Sequence, residues 1–440
     1  MRSDEYVPFA AYIHPSNPTS GMYGGMCFVT FPVETAPCLV AMGIGTQGLN
    51  PDEYILSRPG HIRKVSAICS WLNNKYGKGE IVAWSKQDPT RTDIDIPDNI
   101  KKLFPQYQAV FERYGKVLYG IYVPNNDKEA TTQAVKAFLD LTFSERGYEP
   151  LKSSLADAAA IKSAYMRYVL PPVEQHDIQE LLAQQRYVFL EGPPGMGKTN
   201  LAGKLLRDVY HGNGITVQFH PNTTYENLIG GLAPVETASG IGFSFAPKRG
   251  YLMDAVVKAS QPSDTPYLLN IDEINRADLA KILGEAIYLF ELRDDSPRKV
   301  TLPYNFSEPI GDTLQLPSNL HILGTMNSSD RSIAIIDIAI RRRFAFVKLW
   351  PSFDIVAQNG CKLMQKAYQD LLDIFIENAS DDAMNLMPGH AYFLENDVNL
   401  AKKYLLTRLY PLLEEYIAQG YVAGFAEQIL AYMQWLKSQV

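Results

Sequence analysis

The sequence predicts an α/β fold on a parallel sheet, with a helical subdomain after it and a separate α+β domain before it. Three observations carry this. An apolar run, Tyr187-Val188-Phe189-Leu190, leads into the glycine-rich loop EGPPGMGKT (191–199) and a helical pattern from Asn200 to Leu206. A second run, from Tyr267 to Ile271, ends in Asp272-Glu273, and a third, from Leu320 to Met326, ends in Asn327. Apolar runs without alternation are what strands buried on both faces of a parallel sheet require.

A chain of 440 residues has room for two or three domains. The expected division is an N-terminal domain over 1–150, a linker over 151–172, an α/β core over 173–350 and a helical lid over 351–440. The net charge of −7 argues against global nucleic-acid affinity, so any DNA contact needs a local patch. Cys27, Cys38, Cys69 and Cys361 lack metal or redox spacing and read as free thiols of a reducing cytoplasm. The N-terminal stretch lacks the apolar core of a signal peptide, and no run approaches a membrane span.

In the N-terminal domain, strands are expected at Met26–Phe31, Pro37–Met42, Ile81–Trp84 and Val117–Val123, and helices at His61–Asn73, Tyr107–Tyr114 and Thr131–Arg146. Gly43-Ile44-Gly45-Thr46-Gln47-Gly48 has GxGxxG spacing, but no fitting helix follows, and it reads as a turn. Trp71, Trp84, Tyr119 and Tyr122 read as exposed-type aromatics. Among them lie Arg58, Arg63, Lys64, Lys75, Lys78, Lys86 and Arg91, a loose basic cluster. Acidic residues are about as numerous, so solvated faces and core aromatics are the plainer reading; DNA or another partner is the alternative. A bridging helix follows near 150–170, closed by Pro171-Pro172, and a short helix runs from Val173 to Gln185.

The loop 191–199 matches GxxxxGK[ST] between a strand and a helix, the context in which that motif binds phosphate. Gly192, Gly195 and Gly197 let backbone N–H groups turn toward phosphate oxygens. Lys198 supplies a point charge at the β/γ phosphates, Thr199 a hydroxyl for Mg²⁺, and the following helix its positive end. The candidate nucleotide-binding set is Gly192, Pro193, Pro194, Gly195, Met196, Gly197, Lys198, Thr199 and Asn200. A strand at Ile215–His220, a helix capped by Thr223 or Thr224, an arm of a hairpin at Gly240–Phe245 and a helix at Leu252–Ala259 follow.

Asp272 is the candidate Mg²⁺-associated acid, and Glu273 the candidate base that polarises the attacking water. Asn327 can hydrogen-bond the γ-phosphate or that water. A helical pattern, Ser332 to Ile340, ends in Arg341-Arg342-Arg343 ahead of an apolar strand, Phe344–Val347. Three adjacent cations can reach into a neighbouring subunit's nucleotide as an arginine finger, or form a solvated salt-bridge cluster.

GPPGMGKT, VQFHPNTTYENLIGG, IDEINRA, GTMNSSDRS and DIAIRRRF occur in order, and together they resemble the McrB family of AAA+ proteins, the motor subunits of modified-cytosine-dependent restriction systems. The likeness covers roughly 170 to 420. It extends to PGHAYF (388–393) and to YPLLEEY (410–416) of the helical lid. It implies an AAA+ three-layer core that hydrolyses ATP or GTP with Mg²⁺. It implies a hexameric ring and a separate, McrC-like nuclease subunit; no PD-(D/E)xK nuclease pattern is found in this chain. It further implies that Asn275 positions the lytic water, that Arg276 is an intersubunit contact, that Asn327 is sensor 1 and that Arg341, Arg342 and Arg343 form the finger region. Asn327-Ser328-Ser329-Asp330 stands where the family's best-known member has NTAD and uses GTP; the change leaves the base open, with ATP favoured. The alternative function is a MoxR-like ATPase that remodels proteins, the N-terminal domain being its adaptor. A third is a nucleotide-switched binding module with little turnover.

Overall fold

The computed structural model describes residues 7–125, 127–148, 155–236, 243–263, 265–291, 298–329 and 336–439. The chain forms two compact units. One comprises Met1–Pro171, Asp370–Met384 and Tyr416–Gln434, the other Pro172–Gln369, Asn385–Glu415 and Trp435–Val440. The transition near 171 falls at the Pro171-Pro172 punctuation. The region expected as one lid over 351–440, however, is shared out between the two units.

The first unit holds an antiparallel sheet of β1 (Ala10–Tyr12), β2 (Met26–Val33), β3 (Ala36–Ile44), β4 (Ala83–Ser85) and β5 (Leu118–Tyr122), in the order β1-β2-β3-β5-β4. Helices Pro59–Tyr76 and Lys128–Glu145 lie against each other, and helix Leu155–Met166 packs with both. Trp71, Tyr119 and Tyr122 are buried and Trp84 is half-buried, so of the two readings of these aromatics the core one holds. Tyr119 and Tyr122 lie on β5, every residue of which is buried, and Trp71 is on the buried side of helix Pro59–Tyr76, where aromatic area contributes most.

The basic cluster is largely consumed inside this unit. Arg58 and Lys64 both reach the buried carboxylate of Glu145, and Lys64 also pairs with Glu377 at 2.7 Å. Burial alone would raise the Glu145 carboxyl; the neighbouring His61 ring and the charge of Lys64 pull it down to about 2. Arg63 donates to the carbonyls of Ile376 (2.5 Å) and Ala379 (2.8 Å). Lys86 is buried and donates to the carbonyls of Ile94 (2.8 Å) and Lys116 (2.7 Å). These bonds to 376–379, with an edge-on contact of Phe375 and Phe425 at 5.3 Å, explain why C-terminal segments belong to this unit. The 43–48 turn spends its amides internally: Gly45 N–H donates to Gly25 O (2.9 Å) and Gln47 N–H to Tyr23 O (3.0 Å). It offers no phosphate cradle there.

The second unit is built on β6 (Tyr187–Gly192), β7 (Gly214–Gln218), β10 (Tyr267–Asp272), β13 (Leu320–Asn327) and β14 (Ala345–Lys348). All are parallel, in the order β14-β6-β13-β10-β7. A hairpin of β8 (Gly230–Glu236) and β9 (Phe243–Arg249) and a ribbon of β11 (Val300–Thr301) and β12 (Thr313–Leu314) are inserted. Helices Gln175–Gln185, Lys198–Lys204 and Tyr251–Ala259 flank the sheet, and Tyr187, Val188, Phe189 and Leu190 are wholly buried between layers. Gly324 lets β13 approach β6, because a Cβ there would lie 2.6 Å from the Phe189 ring. That ring stacks on Phe344 at 4.3 Å and so pins the chain just after the arginine triplet. Within the expected helix Ser332–Ile340, residues 332–335 lie outside the described residues, as do Asp330 and Arg331. The described helix is Ile338–Arg341, capped by Asp337, whose carboxylate accepts the Ala339 N–H at 3.0 Å.

Candidate nucleotide-binding site

Parallel register decides what meets at the sheet's carboxyl edge. Asn327 pairs with Gly192 across β13 and β6, and Ile271 with Gly324 across β10 and β13. The loop after β6, the acids after β10 and the polar end of β13 therefore converge, although they span more than a hundred residues of sequence. Ligands of open parallel sheets bind at this edge.

The loop from Pro193 to Gly197 turns through Gly195 (φ +80°) and Gly197 (φ +73°), left-handed positions that favour glycine. Lys198 begins the following helix and is buried. Its ammonium donates to Gly192 O (2.7 Å), Pro193 O (2.8 Å) and Asn327 Oδ1 (2.7 Å). Burial lowers its pKa to about 8, against the opposing pull of Glu273 and Asp272. Thr199 and Asn200 are exposed at the same mouth.

Asn327 joins a cation to an anion. Its Oδ1 accepts from Lys198, and its Nδ2 donates to Glu273 Oε1 at 2.7 Å. An ammonium is donor-only and a carboxylate acceptor-only, and an amide in this orientation serves both. Asn275, also buried, donates to the Asn327 carbonyl at 3.1 Å and so holds the chain where β13 ends.

Thr325 was not singled out from sequence, where it reads as one more residue of an apolar strand. It is buried, donates to Asp272 Oδ1 at 2.5 Å, and accepts the Glu273 N–H at 3.2 Å. Thr199 donates to the same Asp272 oxygen at 3.0 Å. Glu273 sits at φ +54°, a left-handed position that costs a non-glycine residue about 1 kcal/mol or more, held partly by that Thr325 bond. Arg276 lies 3.2 Å from Glu273 Oε2 within the same chain, so the intersubunit contact expected of it has an intramolecular counterpart.

The donor set fits a Mg²⁺-nucleotide. Thr199 and Asp272 present a hydroxyl and a carboxylate side by side, the protein share of a cation whose other ligands are phosphate and water. Among the described residues no trio of His, Cys, Asp or Glu forms a metal cluster. Asn275 Oδ1 is buried without a hydrogen-bond partner, the condition of an acceptor that awaits a water or substrate group, and Glu273 Oε2, buried too, has only the ion pair with Arg276. Arg343 is turned inward, donating to Ala339 O at 2.6 Å, and Arg341 lies over the Phe346 ring at 5.0 Å. Arg342 is exposed and has no partner among the described residues.

Residues 187–344 match the AAA domain (dynein-related subfamily). The chain is also 30% identical over 364 residues, 73% of its length, to the type IV methyl-directed restriction enzyme EcoKMcrB subunit of Escherichia coli, covering 75% of that protein. The chain belongs to the McrB family of AAA+ NTPases. A second relative of this McrB-family protein is the type II restriction enzyme BsuMI component YdiS of Bacillus subtilis. It is 29% identical over 194 residues, 36% of this chain and 55% of YdiS. Among solved structures, a RuvB variant of Thermotoga maritima aligns at 14% identity with TM-score 0.26, over 60% of this chain and 69% of that one; so loose a likeness carries no argument.

The family assignment makes this a P-loop NTPase built to bind nucleotide. No helix among the described residues is long and apolar enough to cross a membrane, and all four cysteines are free.

Proposed function

We propose that the chain is the nucleotide-hydrolysing motor of a restriction system, acting as an oligomeric ring with a separate nuclease-bearing partner. The observation that carries hydrolysis is the relay Lys198–Asn327–Glu273. It couples the charge at the phosphate loop to the carboxylate aimed at water. Glu273 takes the proton of the attacking water, Asn327 holds that carboxylate in register with the phosphates, and Lys198 neutralises charge on them. A bound Mg²⁺ supplies electrostatic stabilisation of the transferring phosphoryl group. Thr199 and Asp272 hold it, and Thr325 orients Asp272.

Two features support the ring. Among the described residues Arg342 has no side-chain partner, and Ile338, one helical turn before it, is 80% exposed. An exposed large aliphatic beside a free guanidinium is what a covered subunit face presents. Arg342 is accordingly the arginine finger, while Arg341 and Arg343 position it. The restriction role rests on the two curated relatives, both named as restriction components. The first unit selects the DNA or the partner.

Glu273→Gln preserves the shape and removes the base. Turnover of ATP and GTP, assayed side by side with and without DNA, falls by about 10²–10⁴-fold while nucleotide binding persists. Full activity in that variant removes Glu273 from this role. The same paired assay decides the base.

A further inference from the structure

The segment Pro388–Phe393 lies on the phosphate loop. Gly389 N–H donates to Pro194 O at 3.1 Å, and Ala391 N–H to Gly195 O at 3.0 Å. The approach is close enough that a Cβ on Gly389 would fall 2.2 Å from the Gly195 carbonyl carbon. Backbone contact of this kind fixes the residue between the two bonds, His390. Its side chain is 7% exposed, and its Nε2 lies 3.5 Å from where a Cβ of Gly197 would stand. Nδ1 is buried with no hydrogen-bond partner.

An imidazole in that setting is informative. Burial lowers its pKa, so the ring is neutral and carries one N–H. Orphaned N–H groups are rarer in protein interiors than under-used acceptors. The proton therefore sits on Nε2, and the lone pair on the sealed Nδ1. The donor faces the stretch of chain whose amides gather phosphate, 3.5 Å from where a Cβ of Gly197 would stand.

We propose that His390 is a nucleotide-binding residue, its Nε2–H donating to a phosphate oxygen of the nucleotide held by the 192–199 loop. The inference rests on the P-loop reading above and extends it: a residue nearly two hundred positions downstream completes the phosphate shell. It also links the Pro388–Phe393 segment to occupancy of the loop, because the hydrogen bond exists only with phosphate present.

The test measures dissociation constants of ADP and GDP for the full chain and for H390A, H390Q and K198A, with melting curves of each nucleotide-free protein. Loss of a hydrogen bond to a charged group weakens binding by about ten- to a hundredfold in H390A. H390Q, whose amide N–H reaches nearly as far, recovers most of it, and the nucleotide-free proteins melt together. Wild-type affinity in both histidine variants, with binding lost in K198A, overturns the proposal and leaves the P-loop reading standing. Equal losses in both, with lower melting of the nucleotide-free proteins, make His390 a packing residue and also overturn it. Unchanged affinity in K198A removes the P-loop reading itself.

Discussion

Asn327 Nδ2 donates to Glu273 Oε1 at 2.7 Å, across the edge where β13 ends beside β10. One side-chain amide thereby sets the direction of the carboxylate assigned to activate water, while its oxygen holds Lys198. Neither neighbour can replace the other's bond.

Asn327→Ala should therefore lower turnover more than binding. It removes a charge-assisted hydrogen bond from each of two ions, and a single such bond contributes about 1.5–3 kcal/mol. The expected loss in kcat is about ten- to a hundredfold, with KM changed less. Steady-state kinetics at saturating nucleotide check this; an unchanged kcat would detach Asn327 from the relay.

Thr325→Val keeps the β-branched shape and deletes only the hydroxyl. Asp272 loses its 2.5 Å donor and the Glu273 N–H loses its acceptor. Leaving one buried polar group unsatisfied costs about 1–3 kcal/mol. The expected outcome is roughly tenfold slower turnover, partly recovered at high Mg²⁺. Thr325→Ser, which retains the hydroxyl, should stay close to wild type.

The phosphate loop, the acids after β10 and the polar end of β13 were legible because each is local: a run of residue types whose spacing specifies its own chemistry. Thr325 was not, since its partners come from register across two strands. For Tyr119 and Tyr122 the sequence leaves core and exposed aromatics both open, because a strand's alternation does not reveal that both faces are covered. It treated 351–440 as one lid because the bonds from Arg63 and Lys64 to 376–379 join positions some three hundred residues apart. PGHAYF was recognisable, yet only the fold lays it on Pro194 and Gly195.

Acid should act on the second unit through His321. This ring is buried, hydrogen-bonded to the Tyr210 hydroxyl at 2.6 Å, and pushed down to about 4, first by burial and then by Arg186. Between pH 6.5 and 4 the unfolded chain binds a proton that the folded ring refuses, so stability rises with pH over that window and is lost as pH falls. The full loss is about 3 kcal/mol by pH 4. Urea unfolding at pH 7, 5.5 and 4.5 should show this loss in the wild type and a smaller one in His321→Gln. Parallel losses in the two would assign the acid sensitivity elsewhere.

The central claim is that each nucleotide is hydrolysed between two subunits, with Arg342 of one completing the site around Lys198 of the next. Mixing Lys198→Ala and Arg342→Ala proteins, each inactive alone, tests it most directly. The predicted result is nucleotide turnover that peaks near an equal ratio, because mixed rings contain interfaces carrying both native residues. Absence of turnover at every ratio, or full activity of Arg342→Ala by itself, would contradict a shared site.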